Sequence, residues 1–248
     1  MIGRIKELNH LFNLYNNDSF EFLVMYGRRR IGKTTILQEF SEKTNSIFFP
    51  AREKNDALNL EDFSKIIQYH FDKQFYSSFS SWEDAFNYIS SKAHDKVSII
   101  IDEFPYIIEE NPSVKSILQH VIDHSWKQKN IFLILCGSSV SIMENDVMGR
   151  KSPLHDRQTS TLEIKPFDYY ESSGFFPEYN NIDKILAYGI LGGVPRYLEA
   201  FDSSKTIEQN IATRIIQNGS YLYEEPMNLL KAEVRETNIY NSILSAIA

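Results

Sequence analysis

A glycine-rich loop that ends in lysine and threonine is the first part of the chain whose residue types predict chemistry. The run GRRRIGKT (27–34) fits G-x-x-x-x-G-K-[ST] and lies between the apolar run EFLVMY (21–26) and the helical pattern TTILQEF. Glycines let successive backbone N–H groups turn toward one anion at a helix N-terminus, where the helix dipole adds to the attraction. We expect Lys33 to reach the β- and γ-phosphates of a nucleotide and Thr34 to place its hydroxyl on Mg²⁺.

Two carboxylates end another apolar run. VSIII (97–101) is followed directly by Asp102 and Glu103. We expect Asp102 to hold the hydration shell of Mg²⁺ and Glu103 to orient or deprotonate the attacking water. The alternative is an ordinary polar loop in which Asp102 caps a helix. The phosphate loop upstream favours the catalytic interpretation.

Hydroxyl groups follow the apolar run IFLILC (131–136), after Gly137. Ser138 could sense the γ-phosphate from this position, although serines after a glycine are also common in turns. We favour the sensor role. Cys136 is expected to be a small core residue rather than a nucleophile.

Three arginines, Arg28, Arg29 and Arg30, stand inside the loop. Intervening side chains of such loops mostly point away from the phosphates, so we interpret these residues as salt-bridge partners of an acidic surface on another lobe. The chain carries a formal net charge of -7, which repels nucleic acid unless positive charge is concentrated locally. Nucleic-acid binding is therefore the weaker alternative and stays open.

Five runs rich in β-branched or aromatic residues predict strands, and most are apolar nearly throughout, as in a parallel sheet buried on both faces. They are EFLVMY (21–26), SIFFP (46–50), VSIII (97–101), IFLILC (131–136) and STLEIK (160–165). Helical patterns alternate with them, which predicts a wound α/β sheet of five parallel strands flanked by helices. Beyond Pro166 helical patterns dominate. We therefore predict a core at residues 1–167 and a helical lid at 168–248.

Composition limits the class of protein. Hydrophobic residues make up 42% and charged residues 24% of the 248 residues, which is the balance of a folded globular protein. Cys136 is the sole cysteine, the N-terminus lacks the apolar core of a secretory signal, and the apolar runs are far below the ~18 residues of a membrane span. We expect a soluble cytoplasmic protein without a membrane partner.

Other sites are disfavoured. His120 and His124 lie four residues apart, but on the helix face opposite the apolar positions, and the pattern lacks the glutamate of a zinc protease helix. A solvated face is the better interpretation. The chain also lacks the Asn-Lys-x-Asp motif that selects guanine and the LSGGQ signature of transporter ATPases.

The motifs together resemble the archaeal-type P-loop ATPases of the AAA+/STAND group. The resemblance rests on IGR (2–4) with Glu7 and Leu8, YGRRRIGKT (26–34), IDEF (101–104), CGSS (136–139), SPL (152–154) and GGVPRYL (192–198). It covers nearly the whole chain. It implies an AAA+-like P-loop NTPase fold with a helical lid, and ATP or ADP with Mg²⁺ as cofactors.

The resemblance also assigns residues. Ile2, Gly3 and Arg4 are expected near the adenine, and Pro195 is expected to approach it from the lid. Arg157 would face a phosphate, although His155 and Asp156 depart from the SPLYGR of many relatives. Arg196 is either a sensor-2-like arginine or a solvated first-turn residue, and we favour the latter. The expected nucleotide contacts are Ile2, Gly3, Arg4, Gly27, Arg28, Arg29, Arg30, Ile31, Gly32, Lys33, Thr34, Thr35, Asp102, Ser138, Arg157 and Pro195, with Lys33 and Glu103 catalytic and Thr34 and Asp102 on the metal.

Two functions remain open. The first is Mg²⁺-dependent ATP hydrolysis that couples nucleotide state to lobe movement, and the second is a very slow nucleotide-gated switch or scaffold that binds ATP or ADP without significant turnover. An apolar stripe near the C-terminus, at Ile239, Tyr240, Ile243, Leu244 and Ile247, predicts that the chain is a fragment and that a C-terminal domain is missing. Family members often continue into a winged-helix segment. Self-association stays open.

Overall fold

Five parallel strands form one sheet in the described part of the chain, with the order β2-β3-β4-β1-β5. They are β1 (Glu21–Tyr26), β2 (Ser46–Pro50), β3 (Val97–Asp102), β4 (Ile131–Gly137) and β5 (Ser160–Glu163). The predicted parallel sheet is confirmed. The strand β5 ends two residues earlier than predicted. After it the N–H of Ile164 still donates to Tyr26 (2.7 Å), and Pro166, which has no N–H, follows Lys165.

The structure is a computed structural model that describes residues 2–233 together with Tyr240, Ser242, Ile243 and Ala246. These residues divide into two compact units. One, the sheet unit, is Arg4–Lys165, and the other, the helical unit, contains the described residues from Pro166 onward with Ile2 and Gly3. Three members of the predicted C-terminal stripe, Ile239, Leu244 and Ile247, lie outside the described residues.

Helices alternate with the strands of the sheet unit. They are α1 (Ile5–Tyr15), α2 (Lys33–Glu42), α3 (Asp56–Asp72), α4 (Trp82–Lys92), α5 (Pro105–Glu110), α6 (Val114–His124) and α7 (Val140–Ile142), with a 3₁₀ turn at Trp126–Gln128 and a π-helical turn at Met143–Val147. The side chain of Ser81 caps α4 by accepting from the N–H of Asp84. No helix in the described ranges is long and apolar enough to cross a bilayer.

Alternate residues of the central strands enter two different cores, as the period of a strand requires. Leu23, Met25, Ile100, Phe132 and Ile134 pack with α1 and α2 on one face. Phe22, Val24, Ile99, Ile101, Leu133 and Leu135 pack with α3, α4 and α6 on the other. Burial on both faces explains why these strands are apolar nearly throughout.

Two tryptophans anchor the second of these cores. Trp82 and Trp126 are 1% and 0% exposed, and both contact Phe86 at ring-centroid distances near 5.8 Å. The indole N–H of Trp126 donates to the buried Ser90 hydroxyl at 2.7 Å, and that of Trp82 donates to Asp56 at 2.7 Å. Each buried indole donor therefore has an acceptor, which avoids the cost of leaving a polar group without one.

Short helices build the helical unit: α8 (Tyr169–Ser173), α9 (Asn181–Leu191), α10 (Pro195–Leu198), α11 (Ile207–Asn210) and α12 (Tyr221–Glu233), with a π-helical segment at Ile211–Ile216. Asp168 and Thr206 form capping boxes, and Asn180 caps α9. Phe167, Phe176, Leu198 and Phe201 are among the residues of its small core.

Candidate functional site

The run 27–34 forms a loop at the carboxyl end of β1, as predicted. Gly27 (φ 147°) and Gly32 (φ 88°) have positive φ, and a Cβ on Gly27 would lie 2.3 Å from the carbonyl oxygen of Ile164. Glycine is therefore required at position 27 both by conformation and by the close approach of backbone. Ile31 is fully buried in the core under α1 and α2, and it anchors the middle of the loop. Helix α2 then begins at Lys33.

The ammonium group of Lys33 lies inside this loop. It is 5% exposed, and its Nζ donates to the carbonyl oxygens of Gly27 (2.8 Å) and Arg28 (2.9 Å). Burial lowers the pKa of Lys33, while Cys136, Glu103 and Asp102 act in the opposite direction. An additional anion in the loop would stabilise the charged form of Lys33.

Thr34 and Asp102 are brought into direct contact. The Thr34 hydroxyl donates to Oδ2 of Asp102 at 2.7 Å, and Asp102 is 3% exposed at the end of β3. Thr35, the next residue of α2, is exposed. A hydroxyl and a carboxylate side by side are the hard oxygen ligands that suit Mg²⁺.

Glu103 follows Asp102 in a left-handed backbone conformation, with φ 55°. Such a conformation is uncommon for a residue with a Cβ and is found disproportionately at functional sites. Oε2 of Glu103 accepts two hydrogen bonds from Ser138, one from its N–H (3.0 Å) and one from its hydroxyl (2.8 Å). The N–H of Glu103 donates to Oδ1 of Asp102 at 3.1 Å. The two acids and Ser138 thus form one hydrogen-bonded group.

The order of the strands explains this grouping. β4 lies between β1 and β3, with Tyr26 paired to Gly137 and Ile101 paired to Leu135. Parallel strands end at the same edge of a sheet, which is where ligands bind in open α/β folds. The loop, the acid pair and Ser138 all follow strands that end at this edge.

Cys136, predicted as a small core residue, also lies next to the acid pair. It is fully buried in that core, and it follows Leu135, which pairs with Ile101, so it lies beside Asp102 on the neighbouring strand end. Burial and then the charge of Asp102 raise the pKa of the thiol well above its usual value. Knowing that β3 and β4 are neighbours would have been enough to predict this proximity, because Cys136 and Asp102 lie at the ends of these two strands.

The three loop arginines differ in exposure. Arg28 and Arg29 are exposed, and an Nη2 atom of Arg29 lies 3.5 Å from the Tyr106 hydroxyl. Arg30 is half-buried and has φ 69°. The predicted salt bridges to another lobe stay a prediction.

Arg4 lies against the loop rather than on a separate surface. Its Nη2 donates to the carbonyl oxygens of Ile31 (2.9 Å) and Lys165 (2.8 Å), and its Nη1 donates to Glu7 (2.9 Å). The family resemblance predicts a place near the adenine for Arg4, and the sequence carries no signal for these contacts.

The remaining nucleotide candidates belong to the helical unit. Pro195 is the first residue of α10, and Ile2 is exposed. Gly3 has φ 66°, and a Cβ there would lie 2.7 Å from the Phe167 ring. Their base-side roles stay predictions.

Arg157 is not brought to the loop. It precedes β5, and its Nε and Nη2 donate to Oδ2 of Asp123 at 3.0 and 2.8 Å. Asp123 lies near the end of α6, so this ion pair belongs to the edge of the sheet where the strands begin. The proposed phosphate contact has no support from this position. Arg196 is 59% exposed at its side chain, 3.5 Å from Glu199.

No group of three or more His, Cys, Asp or Glu side chains that could hold a metal ion occurs in the ranges that the structure describes. His120 and His124 are exposed on α6, with ring centroids 4.2 Å apart. Thr34 and Asp102, which are in direct contact, are the two residues predicted to hold Mg²⁺.

Comparisons with known proteins agree with this geometry. A family model described as an ATPase domain predominantly from Archaea matches residues 1–201. The uncharacterised protein MJECL04 of Methanocaldococcus jannaschii is 34% identical over 247 residues, which are 100% of this chain and 54% of that protein. The chain thus spans about half the length of this curated relative.

Solved structures share the fold. A Walker-type ATPase of Pyrococcus abyssi has a TM-score of 0.65 at 18% identity, covering 99% of this chain and 75% of that one. The ORC2 protein of Aeropyrum pernix, in ADPNP and ADP complexes, has a TM-score of 0.56 at 16% identity, covering 71% and 51%. The resemblance that the motifs predicted is confirmed. With its loop, its acid pair and these matches, the chain belongs to the family of ATPase domains found predominantly in Archaea.

Proposed function

We propose that the chain binds ATP together with Mg²⁺ and hydrolyses it, and that nucleotide state is coupled to movement of the helical unit. The observation that carries the proposal is the 2.7 Å hydrogen bond between the Thr34 hydroxyl and the Asp102 carboxylate, which joins the phosphate loop to the acid pair. Burying a carboxylate costs free energy, so packing alone does not explain why Asp102 is buried at this position.

Phosphate binding is assigned to the loop and to Lys33. The N–H groups at the start of α2 lie at the positive end of its dipole, and Lys33 adds a buried positive charge. On binding, its ammonium would exchange the carbonyls of Gly27 and Arg28 for β- and γ-phosphate oxygens. This interaction is made in the ground state and in the transition state, so it contributes to affinity as well as to rate.

Mg²⁺ fits the donor set that Thr34 and Asp102 present. Both supply hard oxygen atoms, and Mg²⁺ is usually held by one or two protein oxygens together with phosphates and waters. When bound, the ion neutralises charge on the phosphates. Thr34 and Asp102 would hold it, and the Thr34 hydroxyl would then turn from the carboxylate to the metal.

Glu103 is assigned the role of general base. Ser138 orients its carboxylate through two hydrogen bonds to one oxygen, and the N–H of Glu103 donates to Asp102 at 3.1 Å. The carboxylate would accept a proton from the water that attacks the γ-phosphate. Ser138 would thereby act on the base, in addition to the phosphate-sensing role that the sequence predicts.

A slow switch that binds ATP or ADP with little turnover is the second candidate. The specific observation that favours it is that Glu103 is already engaged by two donors from Ser138, which lower its availability as a base. Ile2, Gly3 and Pro195 remain the residues proposed to face the adenine, on the family resemblance alone.

Calorimetric titration of ATP in the presence of Mg²⁺ or of a chelator tests the binding proposal. Wild type should bind ATP more tightly with Mg²⁺, and Asp102→Asn should lose most of that gain while retaining the binding seen in chelator. Asp146→Asn is the matched control, because Asp146 is an exposed acid of the π-helical turn. Equal affinity with and without Mg²⁺ in the wild type would contradict the magnesium assignment, and no ATP binding at all would contradict the proposed function.

A further inference from the structure

A buried guanidinium lies beneath the phosphate loop. Arg4 is 3% exposed, although arginine is rarely buried in proteins unless it is paired. Its Nη2 bridges the carbonyl oxygens of Ile31 and Lys165 at 2.9 and 2.8 Å, and Glu7 balances its charge at 2.9 Å. Arg4 and Lys165 are the first and last residues of the sheet unit, so one side chain ties both chain ends of that unit to the loop.

The contact with Ile31 determines the direction of a neighbouring donor. The carbonyl of Ile31 and the N–H of Gly32 belong to the same peptide group, and in a trans peptide these two bonds point in opposite directions. The described residues contain no cis peptide bond. Because Arg4 holds the carbonyl, the N–H of Gly32 is directed away from the guanidinium, toward the other side of the loop.

The peptide group between Ile31 and Gly32 can rotate easily, because Gly32 has no Cβ. Gly32 precedes α2, and its φ of 88° is readily adopted by glycine, which also tolerates many other conformations. The peptide before it could therefore rotate at little steric cost if nothing held the Ile31 carbonyl. A charged donor is well suited to hold that carbonyl, because charge-assisted hydrogen bonds are roughly twice as strong as neutral ones.

We propose that Arg4 is a positioning residue for the phosphate loop: it holds the Ile31 carbonyl so that the N–H of Gly32 is fixed toward the polyphosphate. The inference deepens the proposed function and rests on it. It differs from the base-side role that the resemblance implies. A base-side residue acts on nucleotides and depends on the base, whereas Arg4 as a positioning residue acts on any polyphosphate.

Inorganic tripolyphosphate, which has no base, separates the two roles. We would titrate ATP, GTP and tripolyphosphate into wild type, Arg4→Ala, Arg4→Lys and Glu7→Gln, all with Mg²⁺. Loss of one well-aligned donor to an anionic phosphate lowers affinity about tenfold, so Arg4→Ala should weaken ATP and tripolyphosphate by the same factor of about ten. Arg4→Lys should recover part of the loss. Glu7→Gln should lose less than Arg4→Ala, because it leaves the guanidinium and both carbonyls in place.

The Gly32 amide gives a second readout that needs no ligand. The chain has 10 glycines, so protein labelled with ¹⁵N-glycine gives a simple spectrum. Arg4→Lys should shift the Gly32 amide resonance more than that of Gly189, which lies in α9 of the helical unit. This comparison remains available if Arg4→Ala does not fold.

Three results would overturn the inference: a loss of ATP affinity with unchanged tripolyphosphate affinity, unchanged affinity for both, or a Gly32 resonance that does not respond to Arg4→Lys. The first would restore the base-side role. Failure of the wild type to bind any of the three ligands would instead contradict the proposed function and the inference together, so the two failures can be distinguished.

Discussion

Replacing Glu103 with glutamine removes one negative charge from the acid pair and leaves its shape. The amide oxygen of glutamine can still accept from the N–H and the hydroxyl of Ser138, which lie 3.0 and 2.8 Å from the present carboxylate oxygen. Lys33, Thr34 and Asp102 keep their own contacts with one another and with the loop. The substitution therefore tests the base without removing the phosphate site.

The structure sets the expected magnitudes. Two charge-assisted hydrogen bonds become neutral ones, and because Glu103 is half-exposed we expect a loss of only about 1 kcal/mol in the free energy of unfolding. For a chain of this size that corresponds to a decrease in Tm of about 2–4 °C. General-base catalysis contributes roughly 10²–10⁴ in rate, so hydrolysis should slow by a factor of about 10² or more. ATP affinity should change little, since the base acts only when water attacks.

A single-turnover assay measures the step that matters. Protein in excess over labelled ATP, with Mg²⁺ present, reports the rate at which bound ATP is cleaved, and a parallel titration gives the affinity. Ser138→Ala is an informative companion, because it deletes the hydroxyl donor to Glu103 and keeps the N–H donor. It should give a smaller change in rate than Glu103→Gln.

Equal cleavage rates in wild type and Glu103→Gln would refute the general-base assignment. The slow switch would then be the better description of the chain. A large decrease in affinity in Glu103→Gln would show that Glu103 also acts on the bound phosphates. A large gap in rate with matched affinities supports the ATPase.

Four further outcomes are expected. ATP with Mg²⁺ should raise Tm more than GTP with Mg²⁺, because a ligand stabilises the folded state in proportion to its binding and the chain lacks the motif that selects guanine. Equal shifts would contradict the adenine assignment. Cys136, fully buried and with a raised thiol pKa, should react with a thiol reagent only as fast as the protein unfolds, and rapid labelling of the native protein would contradict its position. Trp126→Phe should lower the free energy of unfolding by about 2 kcal/mol in a denaturant titration, because it leaves space in the core and removes the donor to Ser90. In a Ser90→Ala background the same substitution should lower the free energy of unfolding by less. Burial lowers the pKa of Lys33 in the free protein, and bound phosphates raise it again, so ATP affinity should fall as pH rises from the lowered pKa toward the higher pKa of the complex. Lys33→Arg stays charged and should show no such decline.

Local pattern was sufficient for the elements and for most of the site. The strands β1 to β4 begin where the apolar runs begin. For β1, β3 and β4 the reason is that a strand buried on both faces must be apolar along its length. The phosphate loop and the Asp102–Glu103 pair were predictable for a related reason. Their chemistry requires fixed residue types at short spacing, directly after a strand, and such a pattern is visible in the chain itself.

The end of β5 could not be predicted in the same way. STLEIK is a good strand pattern over all of its length, but β5 ends at Glu163 and one further bond to β1 follows, from the N–H of Ile164 to Tyr26. Pro166 cannot donate to a ladder, and the Lys165 carbonyl instead accepts from Arg4, a residue 161 positions away. Competition from a distant donor leaves no trace in a local pattern.

The contacts that organise the site depend on which strands are neighbours. β4 is inserted between β1 and β3, and this brings Ser138 into hydrogen-bond contact with Glu103, 35 positions away in the sequence. It also places Cys136 beside Asp102 on the neighbouring strand end. The same packing sends Arg4 to Ile31 and Arg157 to Asp123. By itself, then, the sequence determined the strands, the phosphate loop and the Asp102–Glu103 pair, since each is encoded by residues close together in the chain. The partners of Glu103, Arg4 and Arg157 were decided by tertiary structure, because a hydrogen bond needs two groups within about 3 Å, and only the order of strands and helices brings distant residues that close.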